Sequence, residues 1–163
     1  MSPFYNNFDQ GPLHFAVRFG DYPLTKTLLE KGADVNVMDI FGNTPLSLAC
    51  IENPSLDIIR LLIEYGADVN FERTSSNLDL LSECVLNCKS KIQTDVILIN
   101  RNCLHYAALT GYLPITELLL NKGAILDTKD NFSFTPMQLA EIHENEEIIN
   151  LFQDYKIAYE LTH

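Results

Sequence analysis

The residues that could do chemistry in this chain are its cysteines and histidines. Cys84 and Cys88 are four residues apart and would share one face of a helix, where thiolates can bind zinc or act as nucleophiles. Structural zinc needs four such ligands, and the sequence contains no Cys-x-x-Cys pair and no second cysteine pair. The sequence therefore predicts no metal site and no other cofactor.

Catalysis would need a nucleophile beside a base in a pocket. His143 is the candidate base that lies outside any repeated phrase, yet it has no nucleophile or acid partner close in sequence. Glycine-rich phosphate loops, zinc-protease motifs and nucleophile elbows do not occur. We therefore predict that the protein is not an enzyme. The alternative is a catalytic site in the middle of the chain, around Cys84, Cys88 and His105.

The charge balance restricts the class of partner. The chain has 22 Asp plus Glu against 11 Lys plus Arg, a net charge of −11, and such a field repels nucleic acids and anionic membranes. Two explanations of the acidity stay open: solubility alone, or a partner with a basic surface.

Features of the chain also predict where the protein resides. No apolar run reaches the roughly 20 residues that span a bilayer, and the first ten residues have neither a basic nor an apolar signal region. The 4 cysteines are irregularly spaced, as is usual in a reducing compartment. We expect an intracellular protein of the cytoplasm or the nucleus.

One phrase recurs along the chain at a nearly fixed interval. It occurs as "PLHFA", "PLSLA", "CLHYA" and "PMQLA", at residues 12–16, 45–49, 103–107 and 136–140. Leu13 and Leu46 are 33 residues apart, and so are Leu104 and Met137. The phrase "GADVN" also occurs twice. Because one short helix pair cannot cover its own apolar face, such copies are expected to stack around a shared core.

The period and the phrases "GNTPLSLA", "NCLHYAALTG" and "SFTPMQLA" resemble the ankyrin repeat family. The resemblance implies an all-α solenoid of stacked helix-turn-helix units with projecting β-hairpin loops. Thr44 and Thr135 precede a proline, where a side-chain oxygen can cap a helix and proline fits its first turn. His14 and His105 take the histidine place of the phrase, where the resemblance implies hydrogen bonds that brace the turn.

We predict a single domain over 1–163 that consists of five units. Their ranges are 11–38, 39–71, 72–96, 97–129 and 130–160. Leu46 and Leu104 are 58 residues apart, which is shorter than two periods, so the unit at 72–96 is expected to be degenerate. A long inserted loop is the alternative. The last unit has several glutamates and is expected to be a polar cap on an open stack.

By resemblance to the family, the side chains free to vary are those at the hairpin tips and at the exposed edge of each first helix. Here these positions are rich in apolar residues and arginine, which are enriched where proteins meet. We predict a partner-binding surface that comprises Arg18, Phe19, Met38, Ile40, Phe41, Asn43, Ile51, Ile99, Arg101, Leu109, Phe132, Phe134 and Ile142. The alternative is that some of them, Phe41 and Ile99 especially, pack as core.

Asn36 and Asn70 match the hairpin asparagine of the family. The resemblance implies that an asparaginyl hydroxylase can modify this residue. The alternative is that each asparagine mainly braces its hairpin through side-chain hydrogen bonds.

The predicted function is a non-enzymatic module that binds another protein in its concave groove, as an adaptor, an inhibitor or a targeting subunit. We expect a monomer when the protein is free. The resemblance implies that an ankyrin chain of this length is often an inhibitor that masks a kinase or a Rel-type transcription factor, or is a fragment of a larger scaffold. No residue of the sequence distinguishes between these roles. A structural spacer or self-associating scaffold is the alternative.

Overall fold

The computed structural model describes residues 11–39, 41–72 and 101–162. Within these ranges the chain forms eight helices and no strand. They are α1 Pro12–Arg18, α2 Tyr22–Glu30, α3 Pro45–Glu52, α4 Leu56–Glu64, α5 Cys103–Thr110, α6 Leu113–Asn121, α7 Pro136–Ile142 and α8 Glu146–Thr162. The all-α prediction is confirmed, and the described connections between helix pairs are turns.

The recurring phrase forms the first helix of each pair, and its flanking residues set the helix ends. Thr44 Oγ1 accepts from the Ser47 N–H at 3.3 Å, and Thr135 Oγ1 accepts from the Gln138 N–H at 3.3 Å. Each threonine thereby satisfies one of the backbone donors that a helix start leaves unpaired. The glycine phrases end the second helices: Gly66 has a φ of 90°, a left-handed conformation that glycine adopts without steric cost.

The helices pack in two rows. The first-helix row contains α1, α3, α5 and α7, and the second-helix row contains α2, α4, α6 and α8, each helix against the next in its row. Apolar side chains between the rows are buried, among them Leu46, Ile59, Leu104 and Leu119. Burying one such side chain contributes about 1.5–3 kcal/mol, so the shared core is the main source of stability.

The histidines of the repeated phrase connect neighbouring helix pairs. Nε2 of His14 is 3.1 Å from the Asn43 carbonyl oxygen, and Nε2 of His105 is 3.1 Å from the Phe134 carbonyl oxygen. Because a carbonyl oxygen only accepts, Nε2 carries the proton and donates in both cases. The bracing role that the resemblance implied is therefore confirmed for both residues.

Two asparagines connect the turns that follow the second helices. Asn36 donates through Nδ2 to the Gly66 carbonyl at 3.1 Å and accepts from the Asp68 N–H at 2.9 Å. Asn70 repeats this pair of bonds with the Gly123 carbonyl at 2.9 Å and the Ile125 N–H at 2.9 Å. The same bridge thus joins α2 to α4 and α4 to α6 at corresponding ends.

The pair α3–α4 lies directly against the pair α5–α6. Helix α3 contacts α5 and α4 contacts α6, so among the described residues no layer separates these two pairs. The degenerate unit predicted at 72–96 lies, apart from Glu72, outside the described residues. Whether that segment is a degenerate unit or an inserted loop stays open, and the unit boundaries stay predictions.

Helix α8 closes the described stack. Glu146 and Glu147 lie in its first turn, where negative charge is favourable because it compensates the helix dipole. Phe152 is buried, and the Tyr155 hydroxyl donates to the Leu120 carbonyl at 2.9 Å. The cap is polar at its start, as expected, but Ile157 and other apolar side chains near its end are exposed.

Replacing the bridging asparagine at the junction of α4 and α6 should weaken the stack. Asn70→Ala removes both bonds to the turn after α6 and should lower the free energy of unfolding by about 1–3 kcal/mol. Urea denaturation followed by circular dichroism measures the change. Asn121→Ala, at an exposed helix end, is the control and should change it by less than about 0.5 kcal/mol. Equal effects of the two variants would contradict the bridging role.

Acid should destabilise the protein through His105. Burial lowers the pKa of His105 below its ordinary 6.5, although the Phe134 carbonyl and Asp130 oppose this shift. Since the folded state binds the proton less tightly than the unfolded state, this contribution to stability is complete above pH 6.5 and is lost as the pH falls toward the folded pKa. The urea concentration at the unfolding midpoint should be measured at several pH values from about 7.5 down to about 5.5. As the pH falls, this midpoint should decrease more steeply for the native protein than for His105→Gln. Parallel slopes would contradict this prediction.

Candidate protein-binding surface

The exposed edge of the first-helix row carries four of the predicted binding residues. Phe19, Ile51, Leu109 and Ile142 lie at the C-terminal ends of α1, α3, α5 and α7. Phe19 is 75% exposed and Ile142 is 57% exposed, while Ile51 and Leu109 are half-buried. We call these four residues the helix edge.

Contacts between the helix ends hold the helix edge together. Arg18 Nε is 2.5 Å from Glu52 Oε2, an ion pair that joins the ends of α1 and α3. Asn145 Nδ2 donates to the Ala108 carbonyl at 2.7 Å and therefore holds the end of α7 beside the end of α5. Because α3 also contacts α5, the four side chains form one row across the described helix pairs.

Arg18 forms an ion pair on the helix edge, and its predicted contact with a partner stays a prediction. Its guanidinium is occupied by Glu52, and an exposed ion pair of this kind contributes at most about 1 kcal/mol. Next to it, the Phe19 ring stacks on the Phe15 ring with 6.2 Å between centroids and 10° between planes. The stack on Phe15 orients the Phe19 ring.

The second part of the surface lies on the turns that precede α3 and α7. In the turn 39–43, Asp39 Oδ1 accepts from the N–H groups of Phe41 and Asn43 at 2.9 and 2.8 Å. In the turn 130–134, Asp130 Oδ1 accepts from Phe132 and Phe134 at 2.9 and 2.9 Å. The two turns are thus built on the same aspartate-centred hydrogen bonds.

These turns present apolar side chains to solvent. Met38 is 55% exposed, Phe132 is 63% exposed and Phe134 is 36% exposed, while Phe41 is half-buried. We call these four residues the turn edge. An exposed apolar surface of several side chains usually marks an interaction site, and the helix edge and the turn edge border the same first-helix row.

Two predicted binding residues are not exposed at the turn tips, contrary to the placement expected from the sequence. Asn43 is buried, and its Nδ2 donates to Asp39 Oδ2 at 3.1 Å. Arg101 has a side chain only 14% exposed, and its Nε donates to Asp130 Oδ2 at 3.0 Å. Both residues complete the hydrogen bonding of a buried carboxylate, which would otherwise be costly to bury.

Other predictions lie outside the described residues. They concern Ile40 and Ile99 of the binding surface, and Cys84 and Cys88 of the alternative catalytic site. The third member of that alternative site, His105, has both ring nitrogens within hydrogen-bond distance of turn groups, at Asn102 and Phe134. Its role in the described structure is accordingly to brace the turn.

The described cysteines are buried where α3 meets α5. Cys50 and Cys103 are free thiols. A hydrogen bond with Cys103, together with burial, raises the pKa of the Cys50 thiol well above its ordinary value. Since the thiolate is the nucleophilic form, Cys50 is a poor nucleophile.

Within 11–39, 41–72 and 101–162, no cluster of three or more His, Cys, Asp or Glu side chains is arranged to hold a metal ion. The same part of the chain has no helix with the length and apolar character needed to traverse a bilayer.

Asn36 and Asn70 are half-buried, and each uses both side-chain polar atoms in the bridges between turns. Their hydroxylation stays a prediction.

The sequence matches the family described as ankyrin repeats (3 copies), over residues 3–73 and again over 74–162. Together with the helix pairs and their bridging histidines and asparagines, this match assigns the fold. The chain belongs to the ankyrin repeat family.

Curated relatives include proteins with different names. NF-kappa-B inhibitor alpha of Homo sapiens is 32% identical over 127 residues, which cover 78% of this chain and 34% of the relative. The protein of that name from Gallus gallus is 47% identical over 47 residues, or 29% of this chain and 15% of the relative. Tyrosine-protein kinase HTK16 of Hydra vulgaris is 27% identical over 149 residues, or 89% of this chain and 16% of the relative. The chain spans about a third of the length of the human inhibitor.

The exposed rings should contribute little to folding. Phe132→Ala should change the free energy of unfolding by less than about 0.5 kcal/mol because the ring is mostly in water. Phe152→Ala is the comparison. Because the Phe152 side chain is only 2% exposed, its removal leaves a cavity and should lower the free energy of unfolding by about 3–5 kcal/mol. Thermal and urea denaturation of both variants measure these changes. A large loss of stability in Phe132→Ala would place that ring in the core.

Proposed function

We propose that this chain is a non-enzymatic, intracellular inhibitor that binds an NF-κB-type transcription factor through the helix edge and the turn edge. The partner lies in the concave groove that the family resemblance implies, along the first-helix row. The free chain is a monomer, and neither nucleic acid nor membrane is its main partner.

The observation that carries the choice of partner is the similarity to NF-kappa-B inhibitor alpha. It extends over 78% of this chain at 32% identity, and so includes most of the repeats. The similarity to a Hydra kinase over 89% of the chain shows that the repeats also occur in proteins of other function. The proposal therefore also needs a surface suited to a protein partner.

The surface supports binding of a protein in general. Phe19, Met38, Phe132 and Ile142 are exposed, and aromatic residues and methionine are enriched in interface cores and hot spots. The half-buried Ile51 and Leu109 continue the apolar row between the exposed ends. A partner that covers this row would bury apolar area that the folded monomer leaves in water.

The charge supports a basic partner. With a net charge of −11, the chain would attract a protein that carries a positive surface for contact with DNA, and would accelerate encounter with it. A bound chain would cover that surface or repel DNA from it, and would therefore compete with DNA for the partner. This competition is the proposed mechanism of inhibition.

The function can be tested with a purified NF-κB dimer and a fluorescently labelled DNA duplex that it binds. Added chain should release the duplex, seen as a fall in fluorescence anisotropy. The double variant Phe132→Ala/Phe134→Ala should release it at least about tenfold less efficiently, because hot-spot aromatic side chains contribute on the order of 2 kcal/mol each to binding.

The control for this experiment is Tyr65→Ala, which truncates an exposed aromatic residue at the end of α4 in the second-helix row. Tyr65→Ala should compete as well as the native chain. If the native chain at high concentration leaves the anisotropy unchanged, it is not an inhibitor of this class. If both variants compete equally well, the partner binds elsewhere on the chain.

A further inference from the structure

The turns 39–43 and 130–134 share the hydrogen bonds from backbone N–H groups to the leading aspartate but differ in a side chain that donates to that aspartate. In each turn one oxygen of the leading aspartate accepts from two backbone N–H groups. Asp39 and Asp130 are both buried, so the second carboxylate oxygen also needs a donor.

In the turn 39–43 the second donor is local. Asn43 Nδ2 is 3.1 Å from Asp39 Oδ2, and the asparagine side chain is buried against the turn. The corresponding residue of the turn 130–134 is Phe134, whose side chain has no donor. There a second donor comes from the segment that precedes α5: Arg101 Nε is 3.0 Å from Asp130 Oδ2.

The conformation of the turn 130–134 also depends on the hydrogen bonds to its aspartate more than that of the turn 39–43 does. Ser133 has a φ of 66°, whereas the corresponding residue of the first turn is Gly42, with a φ of 74°. A left-handed conformation is unfavourable for a residue other than glycine. The bonds to Asp130 must therefore hold a backbone conformation that the sequence itself disfavours.

We infer that Arg101 is a positioning residue for the turn edge. Arg101 donates to Asp130 as Asn43 donates to Asp39 in the other turn. Position 134 therefore does not need an asparagine and can carry an aromatic side chain. Through Asp130, Arg101 holds Phe132 and Phe134 where a partner protein meets them. The binding part of this inference rests on the proposed function, whereas the ordering of the turn does not.

The first experiment measures turn order without any partner. In Arg101→Met, the Phe132 and Phe134 amides, which donate to Asp130, should exchange with solvent at least about tenfold faster. In Arg101→Met/Phe134→Asn, the introduced asparagine can donate to Asp130 as Asn43 does to Asp39, and exchange should return toward the native rate. Arg60→Met, an exposed arginine of α4, is the control and should leave both rates unchanged.

The second experiment measures affinity for the NF-κB dimer. Arg101→Met should bind at least about tenfold more weakly. The double variant should regain turn order but not affinity, because the Phe134 ring is missing. Because Arg101→Met keeps both rings, weaker binding together with faster exchange in this single variant identifies the positioning role.

Several results would overturn the inference. Unchanged exchange of the Phe132 and Phe134 amides in Arg101→Met would exclude a role in ordering the turn, and faster exchange with unchanged affinity would exclude a role in binding. If Arg101→Met does not fold, Arg101→Met/Phe134→Asn tests the inference instead. If this double variant does not fold either, an asparagine at position 134 cannot replace the donor that Arg101 provides, and the inference is wrong. If the native chain does not bind the dimer while the exchange results hold, the proposed function fails and the ordering role of Arg101 stands.

Discussion

Each helix pair of this protein has an apolar face that only a neighbouring pair can cover. The pairs contact each other in the two helix rows, and the side chains between them are withdrawn from water. Because the hydrophobic effect is not directional, this burial holds the pairs together without fixing their alignment. Directional bonds between the pairs must supply the alignment.

Those bonds come from a few polar side chains that reach the next pair. His14 and His105 donate to a turn carbonyl, and Asn36 and Asn70 bridge the turns on the other row. Such bonds satisfy backbone groups that the turns would otherwise leave unpaired. The turns that carry exposed apolar side chains are therefore held by the same bonds that align the stack.

Residues that align the stack recur along the chain, whereas residues at the turn edge and the helix edge differ from pair to pair. Phe132 occupies a place equivalent to Phe41, yet the first is well exposed and the second is half-buried. Family membership explains the recurring residues but not the variable ones. Related repeats occur in an inhibitor and in a kinase, so the repeat fold by itself does not specify a function.

The sequence alone determined the all-α fold and the family, because both follow from short-range phrases that repeat with a fixed period. It also identified some of the exposed apolar residues, among them Phe19 and Phe132. It did not show that Asn43 and Arg101 donate to buried carboxylates rather than face solvent at the turn tips. Arg101 meets Asp130 across 29 residues and Asn70 meets Gly123 across 53, and no local pattern specifies such pairs. Only the tertiary structure decided them, since a buried carboxylate accepts whichever donor the packed neighbour brings within reach.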